Sequence, residues 1–65
     1  MTNAELVRKL TKIGIRYLEK KKRHDVYYNP ANGKRTLILR HWTQQVDSGT
    51  LHRILKDLGL TKGDL

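Results

Sequence analysis

The 65-residue chain contains no cysteine, which excludes a disulfide framework and a cysteine zinc site as supplements to its core. No stretch approaches the roughly 18 apolar residues that a membrane-spanning helix needs. The opening Met1-Thr2-Asn3-Ala4-Glu5 leads into an amphipathic segment, not into the charged and then apolar regions of a secretory leader. These two absences make a cytoplasmic location the expectation. Internal repeats, low-complexity tracts and linkers are also missing, so one domain over residues 1–65 is expected. A domain this short buries only about 60% of the surface its unfolded chain exposes, so every apolar stripe has to be used.

Several chemistries are absent too. His24, His41 and His52 share no metal-ligand spacing, and no carboxylate cluster accompanies them, so neither a metal nor another cofactor is expected. There is no glycine-rich phosphate loop and no nucleophile elbow, which removes nucleotide hydrolysis and serine or cysteine catalysis. No recognition-helix pair is visible, so a DNA-binding accessory role ranks lowest.

Acidic residues are scarce: six Asp and Glu face fourteen Lys and Arg, for a formal charge of +8. A field of that size on so small a surface gathers polyanions, nucleic acid first and an acidic membrane surface second. The membrane reading is the weaker, because neither helix pattern is basic on one face and bulky-aromatic on the other.

What is present orders itself as α-β-β-β-α. Thr2-Asn3-Ala4-Glu5 is a capping box, followed by Leu6, Val7, Leu10 and Ile13 at helical spacing. Gly14 stops this helix in the left-handed conformation, with Ile15 folding back on Leu10. The β-branched and aromatic run over residues 15–19 predicts a strand, residues 20–23 an exposed basic turn, and residues 24–28 a second strand. Pro30-Ala31-Asn32-Gly33 is a turn, and residues 36–41 form a third strand. Two short turns make this an antiparallel meander. Residues 42–46 are a polar connection in which Trp42 either caps the core or offers a stacking surface. Asp47 or Ser48 caps a last helix with Leu51, Ile54, Leu55 and Leu58 on one face. Gly59 and Leu60 repeat the earlier stop, and residues 61–65 are expected to fray. The predicted core comprises Leu6, Leu10, Ile13, Leu51, Ile54, Leu55 and Leu58. The fold class is therefore α+β, a three-stranded antiparallel sheet with two helices on one face, in the element order of double-stranded-RNA-binding domains.

The sharpest chemical constellation is Lys20-Lys21-Lys22-Arg23-His24. The plain interpretation of such a run is a solvated hairpin tip. Against it, His24 stands where the basic turn enters a strand, in a cationic field that gathers phosphate. Imidazole exchanges protons near neutral pH. A base to take the 2′-hydroxyl proton and cations to stabilise charge on phosphorus are the minimum equipment for cutting RNA. His41 closes the third strand between Arg40 and Trp42; it is either a backbone-bonded strand end or a second proton-transfer group. His52, one position off the apolar stripe, is a surface residue.

The chain resembles the HicA toxins, small messenger-RNA interferases paired with a HicB antitoxin. The resemblance runs from Glu5 to Leu60. It is carried by Glu5-Leu6-Val7-Arg8-Lys9-Leu10 with Gly14, by the single histidine opening the second strand, by Asn32-Gly33-Lys34-Arg35, and by Arg40-His41. Its most specific part is Gly49-Thr50-Leu51-His52-Arg53-Ile54-Leu55-Lys56-Asp57-Leu58-Gly59-Leu60. It departs just before the histidine, where Lys22-Arg23 replace the small pair usual in the family. The resemblance implies a fold like the double-stranded-RNA-binding domain, a catalytic role for His24, messenger RNA as substrate, and occlusion by a HicB-type antitoxin in a hetero-oligomer. Metal-independent cleavage by His24, with His41 as a candidate second group, is the leading expectation. Lys20, Lys21, Lys22, Arg23 and Arg40 would hold the phosphate backbone. The alternative is a non-catalytic RNA-binding module of the same fold.

Overall fold

The first residues satisfy the free amides of the first helix. In a computed structural model, which describes residues 1–65, α1 spans Asn3–Lys12. Thr2 Oγ1 accepts from the Glu5 amide at 3.2 Å, and the Glu5 carboxylate accepts from the Thr2 amide at 3.0 Å. That reciprocal box is the one expected, and the Thr2 amide holds the Glu5 carboxyl below its ordinary pKa. The helix ends as Gly14 takes φ 103°. The Ile15 amide then reaches the Leu10 carbonyl at 3.0 Å, and the Gly14 amide reaches that of Thr11 at 3.1 Å. These are the two bonds of a Schellman stop.

This stop decides which isoleucine enters the core. Ile13, expected on the buried stripe, is 42% exposed, whereas Ile15 is 1% exposed. The left-handed turn at Gly14 reverses the chain and swings Ile15 under the helix, leaving Ile13 on the outside of the bend.

Three antiparallel strands follow: β1 Arg16–Lys20, β2 His24–Tyr28 and β3 Arg35–Leu39, in the order β1-β2-β3. The second strand has the expected bounds. The first begins one residue later than expected, because Ile15 is used as core and cap. It carries a bulge at Leu18, since Tyr17 pairs with Tyr27 and Glu19 with Val26. The third strand stops at Leu39 instead of residue 41. Its ladder partner there is His24, the first residue of β2, so beyond Leu39 no β2 residue remains to pair with.

The second helix, α2, spans Ser48–Leu58 and is capped by Asp47, whose carboxylate accepts from the Thr50 amide at 2.7 Å. That bond holds the Asp47 carboxyl below its ordinary value. Gly59 at φ 71° ends α2, with the Leu60 amide on the Leu55 carbonyl at 2.8 Å and the Gly59 amide on that of Lys56 at 3.1 Å. The expected second stop is thus present.

Alternation along β2 sends Asp25 and Tyr27 to one face and His24, Val26 and Tyr28 to the other. The two helices share the first face, where Leu6, Leu10, Ile15, Tyr27, Ile38, Ile54 and Leu58 form one core. Each fully buried aliphatic side chain there contributes about 1.5–3 kcal/mol. Leu51, expected in the core, only packs against its side. Leu55 is buried but stands outside this cluster. The opposite face carries no helix, and Val26 is flanked there by its cross-strand neighbours Glu19 and Leu37.

Polar bonds fasten α2 to the sheet. Thr36 Oγ1 donates to Asp57 at 3.0 Å, and Arg53 spans from Asp57 to the Leu37 carbonyl at 3.0 Å. At the far end, Asn29 and Asn32 both donate to the Leu58 carbonyl, at 3.0 and 3.1 Å. The expected turn is there, but Gly33 alone takes positive φ, at 73°. The C-terminal residues do not fray as expected. Thr61 donates to Asp64 through its amide at 2.7 Å, a short 3₁₀ turn covers Lys62–Asp64, and Leu65 packs on the core.

Candidate active site

The site is built where the sheet ends. His24 opens β2 opposite Leu39, the last residue of β3, and is half-buried. Its ring makes no hydrogen bond to another protein group, unlike that of His41, whose Nδ1 lies 3.0 Å from Gln44 Oε1. The imidazole of His24 is therefore held by its strand yet chemically uncommitted.

On one side of His24 lies the basic turn. Lys20 ends β1, and Lys21, Lys22 and Arg23 form the connection to β2, closed by the Lys21 amide on the His24 carbonyl at 2.8 Å. All four side chains are exposed. Lys21, Lys22 and Arg23 border a shallow groove with His24 and Leu37. Lys21 also pairs with Glu19 at 2.9 Å, which lowers the pKa of that carboxyl.

Arg40 behaves differently from the other four cations. Its side chain is only 22% exposed and points inward at backbone carbonyls and at the Asp25 carboxylate, 3.0 Å away. Asp25 also raises the pKa of Tyr27, second to the effect of that tyrosine's burial.

On the other side of His24 is a cleft of about 170 Å³ between the end of the sheet and the start of α2. Asn3, Gln44, Gln45, Asp47, Thr50 and Arg53 supply its polar lining. The connection forming its wall is tied to the start of α1. The Asn3 amide donates to the Gln44 carbonyl at 2.9 Å, the Ala4 amide to that of Trp42 at 3.1 Å, and Asn3 Nδ2 to that of His41 at 2.9 Å. Free amides of a helix N-terminus are thus used to shape a loop.

Of the predicted site residues, the structure gathers His24 with Lys21, Lys22 and Arg23, and places Lys20 at the end of the adjoining strand. His41 lies beyond β3 in the connecting loop, exposed, and does not border the cleft. Trp42 is 37% exposed, which settles the choice left open for it against a core role. His52 is exposed, as expected. No group of three His, Asp or Glu side chains comes together in a metal-binding arrangement. No helix is long and apolar enough to cross a membrane.

Asp25, Asn3, Gln44 and Gln45 were not singled out from the sequence. Asp25 did carry a signal: a lone acid at the second position of a buried strand, after five cationic or titratable residues, needs an internal partner. Nothing comparable marks the amides.

Fold and charge together define a small basic α+β protein whose open sheet ends in a cationic turn. Over residues 4–60 the chain matches the family model described as HicA toxin of bacterial toxin-antitoxin, and it belongs to that family. It is a toxin of a toxin–antitoxin system. No curated protein matches it.

Proposed function

We propose that this toxin is an endoribonuclease that cleaves messenger RNA without a metal ion, using His24 as general base or acid. The observation that carries the reading is the free imidazole of His24, set between a turn of exposed cations and a polar cleft. In this scheme His24 takes the proton of a ribose 2′-hydroxyl as its oxygen bonds to the adjacent phosphorus. The bond from phosphorus to the 5′-oxygen breaks, and that oxygen leaves with a proton. Lys20, Lys21, Lys22 and Arg23 hold the phosphate backbone and offset the charge developing on phosphorus. His41, exposed on the neighbouring loop, is the candidate for the second proton transfer.

In this scheme the proton transfer by His24 and the charge of the basic turn do the work without a metal ion. A HicB-type antitoxin that lays acidic groups over His24 and the basic turn would block RNA and stabilise the domain by mass action. The action of such a toxin on messenger RNA places it in the cytoplasm.

The test is cleavage of RNA by purified protein in excess chelator, with the ends identified. Products ending in 2′,3′-cyclic phosphate are expected. Activity that vanishes in chelator and returns with magnesium would count against the mechanism. Tight RNA binding without cleavage would leave a non-catalytic RNA-binding module.

A further inference from the structure

Four consecutive carbonyls, those of residues 21–24, converge on one residue outside the turn. Arg40 Nη1 donates to the Lys21 carbonyl at 2.8 Å, to that of His24 at 3.3 Å and to Asp25 Oδ1 at 3.0 Å. Its Nη2 donates to the Lys22 carbonyl, and its backbone amide donates to that of Arg23 at 3.0 Å. We propose that Arg40 is a positioning residue, which locks the basic turn and the backbone of His24 through a clamp anchored on Asp25 and does not itself touch the RNA.

The physical case starts from the turn. Adjacent exposed cations repel one another, and with their carbonyls left to water they would sample many conformations. Drawing three of these carbonyls onto one guanidinium, and the fourth onto the Arg40 backbone amide, turns the backbone dipoles inward, so the side chains of Lys21, Lys22 and Arg23 are left pointing outward. Only a planar fork with five donors can serve so many acceptors; a lysine ammonium cannot. Asp25 closes the arrangement by neutralising the charge that the carbonyls attract. Both partners are shielded, at 22% and 11% side-chain exposure, so the clamp is screened little by salt. His24 is then fixed twice, by its ladder with Leu39 and by its carbonyl on Arg40. Less of the RNA binding energy is spent on ordering the site, and more is available in the transition state.

The inference rests on the ribonuclease reading, and its test separates the two. Wild type, R40K, D25N and the double variant are compared for kcat, KM, RNA affinity and exchange of the Lys21 amide, at a temperature where circular dichroism shows all four folded. The clamp predicts that R40K and D25N each lower kcat roughly 10–100-fold with KM little changed. It also predicts faster Lys21 exchange, and a double variant no worse than either single one. A direct phosphate contact predicts otherwise. R40K keeps the charge and would cut like wild type, and D25N, which removes a negative charge, would bind RNA more tightly with kcat unchanged. Either of those results overturns the proposal. If wild type itself does not cut, the ribonuclease reading falls and affinity decides the clamp. Weaker RNA binding by D25N, despite its loss of a negative charge, then supports it, and tighter binding overturns it.

Discussion

His24 and Leu39 face each other as the last pair of the β2–β3 ladder. The imidazole is therefore carried by the final rung of the sheet, with regular structure behind it and the basic turn beside it. That placement separates its chemistry from the core, and it makes the first prediction specific.

His24→Ala removes a proton-transfer group and should slow RNA cleavage on the order of 10²–10⁴-fold. His24 takes no part in the core, so stability should change by only about 0.5 kcal/mol. Thermal melting and cleavage measured together check this, with His52→Ala, an exposed position, as the variant that changes neither. Wild-type cleavage by His24→Ala would leave only His41 to carry the reaction.

The two isoleucines at the end of α1 should differ sharply. Ile15→Ala empties a site that is 1% exposed, with an expected loss of about 2–5 kcal/mol. Ile13→Ala, on the outer side of the Gly14 bend, should stay within about 0.5 kcal/mol. Urea unfolding of both variants is the measurement; equal losses would mean that the helix stop does not sort them as described.

How far this was legible in the sequence is shown by the same residues. Each glycine stop was readable because a Schellman motif has a local signature, Gly followed by an apolar residue. Its effect on Ile13 was not, since periodicity counts positions along a helix and is blind to where the helix turns back. The placement of His24 at the start of β2 was likewise readable from the change from charge to a strand pattern. The inward aim of Arg40 was not, because a sequence shows a cation but not the carbonyls that converge on it. The bolting of Asn29 and Asn32 to Leu58 escaped for the same reason: both asparagines satisfy local turn chemistry while also reaching a helix end far along the chain.

Those asparagines should not be equivalent. Asn29 is 8% exposed and holds both Leu58 and the Ala31 amide. Asn29→Ala leaves buried groups unpaired, at an expected cost of about 1–3 kcal/mol. Asn32 is exposed, and its acceptor keeps the bond from Asn29, so Asn32→Ala should cost less. Chemical denaturation of the pair would reveal the order.

Acid should loosen α2 through its cap. The Asp47 carboxyl is held below its ordinary value of 3.8, chiefly by the Thr50 amide. A depressed folded-state pKa gives stability that is present above the ordinary value and is lost as the pH falls through the folded one. Asp47→Asn keeps an acceptor for the Thr50 amide but cannot titrate, so its thermal midpoint should fall less steeply on acidification. Parallel acid limbs for the two proteins would show that the cap does not contribute.

Binding of RNA should weaken steadily with salt, log affinity falling linearly with log salt concentration as phosphates are neutralised. Lys21→Ala, Lys22→Ala and Arg23→Ala should each reduce the slope by about 0.7–0.9, the share of one phosphate contact. An affinity insensitive to salt would remove the cationic turn from the interface.

The bulge at Leu18 has a consequence for how the molecule behaves in company. The outer side of β3 is engaged by Arg53, which donates to the Leu37 carbonyl, but β1 is an edge strand with free backbone groups. An open edge of that kind invites another chain to add a strand and start a stack. Here the extra residue between Tyr17 and Glu19 twists the edge out of register, and Arg16, Glu19 and Lys20 line it with charge. A second copy would meet a bent, ionised border, which disfavours the addition of a further strand along this edge.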